Sequence, residues 1–116
     1  MWEVKKRFMF SAAHHLPGYN GACANVHGHN YFVEVCVRAE ELDEQGMVID
    51  FKELGDIVKE EAISQLDHTD LNEIMEQPTA ENIAKWIYDA VKPKIPGLYE
   101  IVVQETPKCS ASYREG

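Results

Sequence analysis

The stretch Asn30-Tyr31-Phe32-Val33-Glu34-Val35-Cys36-Val37-Arg38-Ala39 decides the fold class. Its residues alternate, with Tyr31, Val33, Val35 and Val37 on one face and Phe32, Glu34, Cys36 and Arg38 on the other. A period of two over such a run reads as a strand with one face in a core. Upstream, Trp2–Phe10 reads as a second strand, with Val4, Phe8 and Phe10 as its apolar residues. Between the two, Ser11–Val26 carries Pro17, glycines and alanines without a period, which predicts a loop.

Downstream, Glu40–Gly46 is a charged connector. Asp50 stands where its carboxylate can accept the free N–H groups of a helix start. Phe51, Leu54, Val58, Ala62 and Leu66 follow at three- and four-residue steps, which predicts one apolar helical stripe ending near Leu66. A second helix is predicted from Thr79, after Pro78, with Ile83, Ala84, Trp86, Ile87, Ala90 and Val91 as its stripe and Pro93 as its stop. Tyr99–Glu105 and Ser110–Arg114 read as strands joined by a turn at Thr106-Pro107-Lys108. The order β-β-α-α-β-β predicts an α+β fold, a four-stranded antiparallel sheet with two helices on one face. Its bare edges and second face call for cover from another copy of the chain.

At 116 residues, 45% of them hydrophobic, the chain suits one domain over 1–116. No apolar run reaches the roughly 20 residues of a membrane helix, and Met1–Phe10 lacks a signal-peptide core, so a cytoplasmic protein is expected. The cysteines, Cys23, Cys36 and Cys109, are odd in number and unrelated in spacing, so all three are read as thiols. A net charge of −9 argues against nucleic acid as a partner. Carboxylates crowd Glu40–Glu76, whereas Lys5, Lys6, Arg7, Arg38, Lys108 and Arg114 lie in or near the strands, leaving room for a local basic surface.

The chemistry centres on His14, His27 and His29. Residues two apart in a strand share a face, so His27 and His29 can reach one ion, with Gly28 leaving room between them. Three histidines without a cysteine suit a catalytic Zn²⁺ with an open fourth position, although cobalt, nickel or iron would accept the same donors. Alone, His-x-His is as readily a surface pair. His15 adjoins His14, and neighbouring side chains diverge, so one of the two is expected to be a ligand.

Cys23 precedes His27 in the same loop. A thiol beside a cation loses its proton more easily and becomes a base or nucleophile, unless it is itself a fourth ligand or an inert buried thiol. Asp67-His68 can act as an acid–base pair, with helix capping as the plainer alternative. Glu105 ends an apolar strand, where a carboxylate either faces solvent or needs a partner. Cys36 is expected to be a small core residue.

Six segments together resemble the 6-pyruvoyl-tetrahydropterin synthase superfamily, and within it the 6-carboxy-tetrahydropterin synthase branch of the queuosine (7-deazaguanine) pathway. They are Phe10–Leu16, Cys23–Tyr31, Val48–Phe51, Leu66–His68, Pro78–Asn82 and Glu105-Thr106, in the family's order. The resemblance implies His14, rather than His15, as a zinc ligand with His27 and His29. It implies Cys23 as the catalytic cysteine, Asp67 and His68 as a proton-relay dyad, and Glu105 as the anchor of the pterin, with Thr79 also touching it. It implies the tunnelling fold, with trimers closing a β-barrel and stacking as a hexamer whose sites lie at subunit interfaces. The implied substrate is 7,8-dihydroneopterin triphosphate. The short gap from Cys23 to His27 suits the carboxy-forming branch. The pyruvoyl-forming synthases are the nearest rival, and a non-catalytic metal- or pterin-binding module is the rival from another class.

Overall fold

A computed structural model describes residues 1–116. Two long strands, β1 (Trp2–His14) and β2 (His27–Ala39), pair antiparallel in unbroken register from Trp2↔Ala39 to His14↔His27. The short strand β3 (Thr69–Asp70) lies parallel to Ala12–Ala13 on the outer side of β1. On the other side follow β4 (Leu98–Thr106) and β5 (Cys109–Tyr113), giving the order β3-β1-β2-β4-β5. The α+β architecture with helices on one face is as expected, but the sheet has five strands and is mixed rather than four-stranded and antiparallel. β3 is too short to carry a period, so only tertiary pairing creates it.

The larger correction concerns Ser11–His14 and His27–Asn30. Both segments belong to the hairpin, because the β1–β2 ladder continues to its last pair. The predicted loop therefore shrinks to the residues between His14 and His27, pinned by Leu16 N–H donating to the Cys23 carbonyl at 2.8 Å.

The helical layer begins with α1 (Phe51–Val58), capped by an Asp50 carboxylate oxygen 3.4 Å from the Lys52 nitrogen. It passes through a π-helical turn at Lys59–Ile63 into the short α2 (Ser64–Leu66). The wide turn advances the stripe by a residue, so Ala62 and Ile63 are both buried beside Leu54, Val58 and Leu66. Phe51, placed in the stripe by its spacing, is instead 54% exposed. The next helix, α3 (Ala80–Val91), has Thr79 as its N-cap, and the hydroxyl oxygen accepts from Asn82 N–H at 3.1 Å. Ile83, Ala84, Ile87, Tyr88 and Val91 are buried, while Trp86 and Ala90 sit at the margin of the core. No helix is long and apolar enough to cross a membrane.

The core lies between these helices and one sheet face, on Phe8, Phe10, Tyr31, Val33, Val35, Val37, Ile101 and Val103. The opposite face is a ladder of charges. Arg38 pairs with Glu3 at 2.6 Å, Arg114 with Glu100 at 3.0 Å, and Lys5 lies 3.9 Å from Glu34. Lys5, Arg38 and Arg114 thus each face a carboxylate across the strands, whereas Arg7 stands over the Phe32 ring. Cys36 points into this ladder and is nevertheless buried, which pushes its thiol up to about 11.

Candidate metal centre

The core-facing positions of three strands run on into polar residues at one end of the sheet. On β1 the series Phe8, Phe10, Ala12 ends in His14, and on β2 the series Val35, Val33, Tyr31 ends in His29 and His27. On β4, Ile101 and Val103 are followed by Glu105 at the same parity. Alternation thus delivers three imidazoles and a carboxylate to the same side of the sheet, just where the apolar core ends. Their donor atoms all lie within 4.8 Å of one another, so the group can hold a metal ion. His14 is 1% exposed, the one buried polar or charged side chain of the molecule. Gly28 faces the other side of the sheet, where an added Cβ would meet only the Ala12 carbonyl at 3.7 Å. The room between the histidines does not depend on it.

Hydrogen bonds around the rings select their tautomers. His14 Nδ1 lies 2.8 Å from the Pro78 carbonyl, and His27 Nδ1 lies 2.7 Å from the Asn25 carbonyl. A carbonyl only accepts, so each Nδ1 carries the proton and each Nε2 presents a lone pair. The two Nε2 atoms are 3.0 Å apart, and Glu105 Oε1 lies 3.4 Å from His14 Nε2 and 3.0 Å from His29 Nε2. His29 Nε2 is buried without an aligned hydrogen bond despite that proximity. Burial is the main cause that lowers the His29 pKa, opposed by Glu105 and assisted by His14 and His27. Neutral imidazoles fastened by backbone carbonyls are the form and the support that a divalent ion needs.

Beneath the cluster the Tyr31 ring stands edge-on to His14 and His29, at 5.7 and 5.5 Å between centroids. Its hydroxyl is buried with no partner, and burial, followed by the Glu105 charge, raises its pKa well above the ordinary phenol value. Asn72 was not legible as a site-supporting residue. Its side chain accepts from His15 N–H at 2.9 Å and donates to the His15 carbonyl at 3.0 Å, holding the chain where β1 ends. His15 itself is drawn into this contact rather than into the cluster of donors.

Cys23 lies on a 3₁₀ turn (Ala22–Ala24) and lines a hollow of about 330 Å³ with His27, His29, Glu105 and Thr106. It is a free thiol, as are Cys36 and Cys109. Asp67 and His68 are elsewhere. His68 lines another, open hollow of about 420 Å³ with Ser11, Ala12, Ala13, Gly28, His29, Asn30 and Thr69, so that His29 borders both hollows. Within one chain, Cys23 and His68 thus line different hollows.

The pair is nonetheless built with care. His68 has φ +60°, a left-handed conformation that costs a non-glycine residue roughly 1–2 kcal/mol. Its N–H donates to the Ser11 carbonyl at 2.6 Å, and Ser11 N–H donates to Asp67 Oδ1 at 2.9 Å. That backbone bond, with His68 Nδ1 at 3.1 Å from the same oxygen, holds the Asp67 carboxyl below its usual range. Thr79, by contrast, has its hydroxyl oxygen committed to the cap of α3.

Known proteins resemble this chain in sequence and in fold. The family model described as 6-pyruvoyl tetrahydropterin synthase matches residues 3–116. A 6-carboxy-5,6,7,8-tetrahydropterin synthase of Synechocystis is 38% identical, covering 97% of this chain and 93% of the relative. A 6-pyruvoyl tetrahydrobiopterin synthase of Dictyostelium discoideum is 33% identical, covering 96% and 94%. Among solved structures, the 6-pyruvoyl tetrahydropterin synthase of Caenorhabditis elegans superposes with a TM-score of 0.89 at 28% identity, covering 99% of this chain and 96% of that one.

Proposed function

Since this chain belongs to the 6-pyruvoyl tetrahydropterin synthase family, we propose that it converts 7,8-dihydroneopterin triphosphate to 6-carboxy-5,6,7,8-tetrahydropterin. Acetaldehyde and triphosphate would leave, and the product would enter queuosine (7-deazaguanine) biosynthesis in the cytoplasm. The observation that carries the reading is that Cys23 shares one hollow with His27, His29 and Glu105. The carboxy branch is favoured by the short Cys23–His27 gap and by full-length likeness to proteins of that name. The second reading, a pyruvoyl-forming synthase, is supported by comparable likeness to proteins of that name.

His14, His27 and His29 would hold Zn²⁺, since their Nε2 atoms converge and the Nδ1 atoms of His14 and His27 are taken up by carbonyls. When bound, the ion supplies Lewis-acid polarisation of a substrate oxygen. The chain's own residues do the remainder. The Cys23 sulfur stands at the hollow's wall to take or return a proton at the substrate's side-chain carbon. Asp67 keeps a proton on His68 Nδ1, which leaves Nε2 free to exchange one. Glu105 offers two carboxylate oxygens to the adjacent N–H donors of an aminopyrimidine edge. Thr79 still has its O–H hydrogen to donate to the pterin, although its oxygen caps α3.

Because Cys23 and His68 line different hollows, one copy would supply the thiol and metal cluster and another the dyad. Each copy contributes one domain, residues 1–116. Trimers stacked as a hexamer, with sites between subunits, would bring the two halves together.

Incubating zinc-loaded protein with 7,8-dihydroneopterin triphosphate and identifying products by mass spectrometry tests the proposal. The expected result is 6-carboxy-tetrahydropterin with acetaldehyde. A 6-pyruvoyl product moves the chain to the second reading. Absence of turnover from folded, metal-replete protein refutes both and favours a binding module.

A further inference from the structure

Three donor atoms crowd one point in the candidate metal centre. His14 Nε2 and His27 Nε2, 3.0 Å apart, are two of them, turned toward each other while the Nδ1 atoms meet the Pro78 and Asn25 carbonyls. Glu105 Oε1 is the third, 3.4 Å from His14 Nε2 and 3.0 Å from His29 Nε2. Such a convergence of nitrogen and oxygen donors suits a bound cation. The spacing is also that of ligands rather than of neighbours, since a tetrahedral zinc with bonds of about 2.1 Å sets its donors roughly 3.4 Å apart. No Lys or Arg pairs with Glu105, so the carboxylate has nothing but this cluster to neutralise it.

We propose that Glu105 is the fourth ligand of the resting metal centre, and that substrate opens the metal by drawing this carboxylate away. The inference rests on the metal and pterin roles proposed above, and adds that Glu105 serves both. Its mobility fits the task. The His14 side chain is 1% exposed and its ring is anchored, whereas Glu105 is 25% exposed on a flexible stem. It also stands where the β4–β5 register breaks, between Gln104 and Thr106. A paired N–H donor edge on an aminopyrimidine offers the carboxylate a bidentate alternative to the ion. Recognition of the ring and exposure of the metal's open position then become one event, so that a small oxygen ligand without the ring meets a closed site.

Cobalt(II) in place of zinc makes the coordination visible, because its d–d absorption follows the ligand set. The expected wild-type spectrum is tetrahedral and unmoved by azide. Glu105→Gln, which keeps the volume, binds cobalt about ten-fold or more weakly and shifts its band when azide is added. Adding neopterin, which has the ring without the triphosphate, renders the wild-type band azide-sensitive. Equal affinity and equal azide response in wild type and Glu105→Gln overturn the proposal while leaving the three-histidine site standing. Failure of wild type to bind cobalt overturns the metal reading itself. Should Glu105→Gln not fold, the azide and neopterin titrations of wild type decide alone, and an azide-sensitive resting band refutes a fourth protein ligand.

Discussion

Asn72→Ala should loosen the end of β1 by an amount that can be estimated from two hydrogen bonds. The carboxamide pairs with the His15 backbone as a strand residue would, accepting at 2.9 Å and donating at 3.0 Å, beyond the point where β3 has stopped. Each such bond contributes about 1 kcal/mol net, so deletion of both costs about 2 kcal/mol. With a urea dependence near 2 kcal/mol per molar for a small protein, the unfolding midpoint should fall by about 1 M. Asn72→Asp keeps the acceptor and loses the donor, so it should fall between. The ring anchors of His14 and His27 on Pro78 and Asn25 are untouched, so metal affinity should drop by less than the ten-fold that loss of a ligand's own anchor typically brings. Urea melts of metal-free protein, paired with a competitive zinc titration, make the measurement. A midpoint within about 0.2 M of wild type would refute the view that Asn72 fastens this corner.

Tyr31→Phe removes a buried hydroxyl with no partner, so metal-free stability should hold or rise by up to about 1 kcal/mol; a clear loss in the same melts would mean the hydroxyl is satisfied within the protein. Asp67→Asn should matter least in acid. Its carboxyl is held below the ordinary 3.8, chiefly by Ser11 N–H, so its ionised form stabilises the fold above that value and the contribution fades as pH falls through the lowered folded value. The stability gap between Asp67→Asn and wild type, followed by denaturant melts from neutral pH downward, should therefore narrow only in strong acid. A gap that is independent of pH would place the contribution elsewhere.

Strong local periodicity made most of the scaffold legible. The alternation of Tyr31 to Val37 and the stripes from Leu54 to Leu66 and Ile83 to Val91 report burial directly, since each apolar side chain must face the one core available. Histidines two apart on a strand, and a cysteine shortly before them, were likewise readable as a group that could share an ion. One signal went unused. The parity of Phe8, Phe10 and Ala12 extends to His14, which identifies it as a core-facing strand residue rather than a loop residue.

What the sequence determined by itself was whatever depends on neighbours along the chain: strand faces, helix stripes, the cap at Asp50, and the kinds of donor available. What only the tertiary structure decided depends on residues far apart. The two-residue strand β3 exists because Ala12–Ala13 offers it an edge. Glu105 reaches the imidazoles of β1 and β2 because β4 pairs beside β2 at the register that sets Val103 against Val33. The tautomers of His14 and His27 are set by carbonyls at Pro78 and Asn25, of which Pro78 is remote in sequence from its ring. That Cys23 and His68 line different hollows of one chain is likewise decided by packing. No periodicity carries such facts, because they arise from the packing of one element against another.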